Sequence, residues 1–88
     1  LAFLHPTADT SARTWTIPAN ASVAYPAGTT LTFYNQDGAG TVSIAITSDV
    51  MRQAGTGLTG TRSLAANGVA VATKLNATEW LIAGVGLT

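Results

Sequence analysis

Apolar and polar residues alternate along this chain in short runs, and each run is closed by a turn signal. Arg13-Thr-Trp-Thr-Ile17 places Trp15 and Ile17 on one side and Thr14 and Thr16 on the other, the period of a half-buried strand. Pro18 ends that run, because proline donates no backbone hydrogen bond. Val23 to Tyr25 is expected to be a short extended piece, since a residue before proline favours extended backbone. After Ala27-Gly28, the run Thr30 to Tyr34 sets Leu31 and Phe33 on one face, and Thr41 to Thr47 aligns Val42, Ile44 and Ile46. Between them, Asn35 to Gly40 contains Asp37-Gly38, a pair that accepts positive φ. The two runs are therefore expected to pair across that loop. Val50 to Arg52 predicts another short strand, and Gly55 to Gly60 a Gly/Thr loop that connects elements or makes a surface contact.

The last third is the most regular. Asn67-Gly68 between alternating segments predicts a second hairpin. It would join Thr61 to Ala65 with Gly68 to Leu75, which aligns Val69, Val71 and Leu75. Asn76-Ala-Thr78 turns the chain into Glu79 to Val85. There Trp80 and Ile82 lie on one side and Leu81, Ala83 and Val85 on the other. Apolar residues on both sides predict burial on both faces, one against the core and the other against a neighbouring subunit. No helix-period segment exceeds about a turn. The expected fold is all-β: one domain over residues 1–88, a small antiparallel β-sandwich of jelly-roll type with Gly-rich hairpins. Residues 1–12 are expected as an extended arm or first strand.

Composition turns attention from chemistry to assembly. A chain of 88 residues fits one core. A domain so small usually draws extra support from disulfides, a metal or partner subunits. The sequence has no cysteine and a single histidine, His5, so disulfides and thiolate metal sites are excluded. No cofactor or metal is expected, and partner subunits remain. Charged residues make up 9% and balance to zero, against roughly a quarter in ordinary soluble domains. Net charge normally keeps copies of a monomer apart, so a near-neutral surface of Thr, Ala, Ser and Gly suits a packed assembly. The bases Arg13, Arg52, Arg62 and Lys74 are scattered, which argues against a phosphate-binding patch and hence against nucleic acid. No apolar run approaches the roughly 18 residues of a membrane span. Leu1 to Leu4 is too short for a signal peptide, and an opening Leu in place of Met fits a processed or partial chain.

Candidate chemistry is sparse, and no enzymatic activity is expected. His5, Asp9 and Ser11 are of hydrolase-triad type, but they share a proline-containing loop with nothing to orient them. They read as a turn-forming segment. Asp37, Asp49 and Glu79 occupy unrelated contexts, and the glycines accompany no P-loop lysine. Trp15, Tyr25, Phe33 and Trp80 read as core rather than as a sugar-stacking platform. Tyr34, off the Leu31/Phe33 face, is the best exposed contact; Leu58, Leu81 and Val85 complete the candidate partner contacts.

Two stretches carry a resemblance. They are Thr14-Trp-Thr-Ile-Pro-Ala-Asn-Ala-Ser-Val-Ala-Tyr-Pro-Ala-Gly-Thr-Thr30, with the following Leu-Thr-Phe-Tyr-Asn-Gln, and Ala66 to Thr88 with its closing Ala-Thr-Glu-Trp-Leu-Ile-Ala-Gly-Val-Gly-Leu-Thr. In that order they resemble segments of small β-sandwich virion proteins of tailed bacteriophages. The resemblance implies a module on the outer surface of the particle, with no catalytic residues to carry over. The first expectation is a capsid decoration (cement) or head-fibre protein. It would bind the major capsid protein and copies of itself, as a homotrimer, and stabilise the shell. The alternative is a tail-fibre or receptor-binding module that recognises host glycan through Tyr34 and the Gly55–Gly60 loop.

Overall fold

The computed structural model describes residues 2–36 and 40–88. The chain forms strands β1 (Ala2–His5), β2 (Arg13–Ile17), β3 (Thr30–Asn35), β4 (Val42–Ile46), β5 (Val50–Gln53), β6 (Arg62–Asn76) and β7 (Glu79–Leu87). Among the described residues there is no helix, and the expected all-β class holds. The architecture differs from an antiparallel sandwich. All strands join one mixed sheet, curled into a half-barrel. The pairs β1–β3, β2–β4 and β5–β7 are parallel, while β3–β6, β4–β6 and β6–β7 are antiparallel.

β6 organises the sheet. β7 follows one of its edges from Leu64↔Leu87 to Asn76↔Glu79. Along the other edge lies β3, opposite Gly68–Thr73, and then β4, opposite Arg62–Leu64. β3 and β4 thus run end to end on β6 instead of pairing with each other as expected. A strand of 15 residues is long enough to serve both, and a β3–β4 hairpin would leave that edge of β6 unpaired. The expected Asp37-Gly38 turn lies outside the described residues. β1 and β2 repeat the arrangement one place further out, in parallel register with β3 and β4. Residues 2–12 are therefore a strand followed by a loop.

The second expected hairpin is also absent. β6 runs straight through Asn67-Gly68, with Asn67 at φ 64° and a register shift between Leu64 and Val69. The tolerance of positive φ that makes Asn-Gly a turn former here makes a bulge, which bends one strand. That bend helps to curl the sheet over its own inner face.

Ile17, Leu31, Phe33, Val42, Ile44, Met51, Leu64, Trp80 and Ile82 fill the inside, with Ala70 and Ala72 beneath them. The phase expected for Val69, Val71 and Leu75 is right, but they face outward; Ala70, Ala72 and Lys74 face inward. The register supplies the reason. Ala70 sits beside Phe33, Ala72 beside Ile82, and Lys74 beside Trp80, so small residues on the central strand leave room for large neighbours. Val23 to Tyr25 is not a strand. It belongs to the crossing segment 18–29 that returns the chain from β2 to β3. Tyr25 meets Trp80 edge-on at 5.9 Å, and the Gly28 N–H donates to the Lys74 carbonyl at 2.7 Å.

Candidate functional site

Register places His5 opposite Asn35, and both are buried. Asn35 Nδ2 donates to the carbonyls of Gly40 at 2.9 Å and Leu64 at 3.0 Å. Its Oδ1 is therefore the atom facing His5 Nδ1, at 2.8 Å, and Nδ1 carries the proton. His5 Nε2 lies 3.1 Å from Asp9 Oδ2, within ion-pair range but off a hydrogen-bond axis. Asp9 also accepts from Arg13 Nε at 2.8 Å and from the Ser11 backbone N–H at 3.1 Å. The Arg13 guanidinium, with Ser11 helping, holds the Asp9 carboxyl down at about 2. His5, Asp9 and Ser11 do come together, but as a brace. Nδ1 faces the Asn35 oxygen, Nε2 lies near the Asp9 carboxylate, and Ser11 joins them through its backbone N–H. Gly40 closes the same corner: a side chain there would overlap the Ser11 carbonyl.

The other carboxylates are dispersed. Asp49 accepts from the Asn20 N–H at 2.8 Å, and Glu79 pairs with Arg52 at 3.3 Å. Among the described residues, no group of His, Asp and Glu could hold a metal ion. No helix there is long and apolar enough to cross a membrane.

Lys74 was missed in the sequence. It is 2% exposed, with Nζ donating to Asn20 Oδ1 at 2.6 Å and lying 5.9 Å from the centre of the Trp80 ring. Its even spacing from Ala70 and Ala72 is the signal that marks it as inward.

The outer face is where the candidate contacts meet. Leu4, Tyr34, Val69 and Val85 form one row across β1, β3, β6 and β7. Ala2, Thr32, Val71 and Ala83 form the next row. Leu81 continues the face beside Thr73 and Arg52. Val85 is 75% exposed, Leu4 54% and Tyr34 45%, which makes this a contiguous apolar surface with the Arg52–Glu79 ion pair at the Leu81 end. Tyr34, Leu81 and Val85 thus share one face. Leu58 is exposed on the loop between β5 and β6, away from these rows; its carbonyl accepts from the Gln53 N–H at 2.7 Å.

The aromatic residues gather elsewhere. Phe33 stacks on both Phe3 and Trp15, and Phe3 meets Trp15 at a tilt, with ring centres 5.4–5.8 Å apart. With Tyr25, Ile17 and Leu31 they line a cavity of about 250 Å³ at the mouth of the half-barrel. Tyr34 stands apart from them, so no exposed aromatic row forms on the outer face. Compared with known protein families, curated proteins and solved structures, the chain matches none.

Proposed function

We propose that this chain is a structural assembly module, a capsid decoration or head-fibre protein of a tailed phage that adheres to the outer shell and stabilises it. The observation that carries the reading is the outer face. Leu4, Tyr34, Val69, Val71 and Val85 lie in register on adjacent strands of a chain with only 9% charged residues. Contiguous exposed apolar surface of this kind is characteristic of sites that are covered by a partner. The location on a virion rests on the sequence resemblance of the Thr14–Thr30 and Ala66–Thr88 segments. The shell's major capsid protein is the partner proposed for this face. Self-association uses whatever surface remains, and the geometry of β2 described below favours a pair of copies over the trimer expected from the sequence.

The test is electron microscopy of phage particles that encode this chain, labelled with an antibody against it. Label over heads supports the proposal. Label confined to tail tips supports the glycan-binding alternative, and unlabelled particles sink both. Particles stripped of the protein should rebind the natural chain but not a Tyr34→Asp/Val85→Asp variant. Unchanged rebinding would show that another surface makes the contact.

A further inference from the structure

Among the described residues β2 pairs with β4 alone, and its other edge is open. The register is Arg13↔Val42 through Ile17↔Ile46. The Arg13 N–H donates to the Thr41 carbonyl at 3.1 Å, and the Thr47 N–H donates to the Ile17 carbonyl at 3.2 Å. In a parallel ladder a residue that bonds one neighbour turns both its N–H and its C=O to that side, and the next residue turns both away. Arg13, Trp15 and Ile17 therefore spend their backbone groups on β4. Thr14 and Thr16 direct theirs outward, where both residues are exposed. Neither has a hydrogen-bond partner across this edge among the described residues. Within Arg13–Ile17 the edge carries no proline, lysine or bulge, and Pro18 closes it only beyond Thr16. Its one charge, Arg13, is drawn back onto Asp9 at 2.8 Å.

We propose that this edge binds a second copy of the chain, β2 against β2 in antiparallel sense, about a two-fold axis through Trp15. The strand is self-complementary in that arrangement. Thr14 faces Thr16 of the partner and Thr16 faces its Thr14, so the outward groups meet at hydrogen-bonded positions and close four backbone bonds. Trp15 faces its own counterpart at the non-hydrogen-bonded position between them, where side chains approach more closely. Arg13 falls opposite Ile17, so no like charges meet, and a net charge of zero adds no long-range repulsion. On the inner side stand the half-buried Trp15 of this strand and, in ring contact with it at 5.8 Å, the 36% exposed Phe3 of β1. Pairing brings the aromatic mouths of the two protomers together and covers these rings. The interface is isologous and closed, so it ends at two copies. It is separate from the outer face of Leu4, Tyr34 and Val85, and either contact can fail without the other.

The test is sedimentation equilibrium of the full chain from micromolar to millimolar concentration, with amide hydrogen exchange at both ends of the range. The expected result is a reversible dimer. Thr14 and Thr16 amides gain at least tenfold protection on dimerisation, while the Trp15 amide, already bonded to β4, changes little. Thr14→Lys/Thr16→Lys places like charges directly opposite and should give a monomer, as should Thr14→Glu/Thr16→Glu. A mixture of the two variants should recover the dimer. A monomer throughout the range for the natural chain overturns the proposal, as does a trimer. A dimer that persists in the lysine variant alone, or that leaves Thr14 and Thr16 amides unprotected, also overturns it. Should the charged variants fail to fold, the exchange pattern of the natural chain decides alone.

Discussion

Replacing Asn35 by alanine tests whether the corner where β1, β3 and β6 meet is held by one amide. Asn35 makes three hydrogen bonds, to His5 Nδ1 at 2.8 Å, the Gly40 carbonyl at 2.9 Å and the Leu64 carbonyl at 3.0 Å. Truncation leaves the His5 N–H buried without a partner, at about 1–2 kcal/mol, and removes one donor from the Leu64 carbonyl, which keeps its place in the ladder with Val42, at about 0.5–1 kcal/mol. The Gly40 carbonyl is nearer the surface and water can replace part of its bond, so it adds roughly 0.5 kcal/mol. The sum is about 2–3.5 kcal/mol. A domain of this size has about 4–13 kcal/mol in all, so the variant should melt roughly 10–25 °C lower. Urea unfolding followed by fluorescence measures the change, because the buried Trp80 reports on the core. Asn35→Asp should be no better, since a carboxylate oxygen would confront two carbonyls. The double variant His5→Leu/Asn35→Leu should cost less than its two single changes added together, because the two polar groups are removed as a pair. A loss below about 1 kcal/mol for Asn35→Ala, or strict additivity in the cycle, would refute the reasoning.

Three further outcomes follow from other positions. Lys74→Met should change stability by less than about 1 kcal/mol or raise it, because the buried ammonium has an amide partner and no carboxylate within ion-pair range among the described residues. Lys74→Ala should cost about 2–4 kcal/mol through the space it leaves, and urea midpoints separate the two. Asn67→Val should be less stable than Asn67→Gly by about 1–2 kcal/mol, because a β-branched side chain is strained at φ 64°, read from thermal melts. Asp9, lowered from 3.8 to about 2 by Arg13 and Ser11, contributes stability that is present above its unfolded value and lost as pH falls through its folded value. The stability gap between the natural chain and Asp9→Asn should therefore be constant above about pH 5. It should close between pH 3.8 and about 2, and a gap that persists at pH 1.5 would contradict the Asp9–Arg13 pairing.

The strands that alternate cleanly were legible from the sequence because period two is a local property. Arg13–Ile17, Thr30–Tyr34 and the split of β7 into Trp80/Ile82 and Leu81/Val85 needed no knowledge of neighbours. Tyr34, Leu81 and Val85 could be named as outward residues for the same reason. Partners and faces were decided only by the tertiary structure. Asn67-Gly68 carries the same positive-φ preference in a hairpin and in a bulge, and the long antiparallel contact of β6 with β7 selected the bulge. Val71 and Ala72 are equally apolar in pattern, and the bulk of Phe33, Ile82 and Trp80 in adjoining registers sent the alanines inward. His5 and Asn35 lie 30 residues apart, and only the parallel pairing of β1 with β3 brings their side chains into contact. The sequence alone determined a charge-poor, net-neutral, cysteine-free set of strands with apolar residues to spare on their outer side. Tertiary structure decided how they join, because hydrogen-bonded edges and side-chain volumes are properties of pairs of strands and not of any one of them.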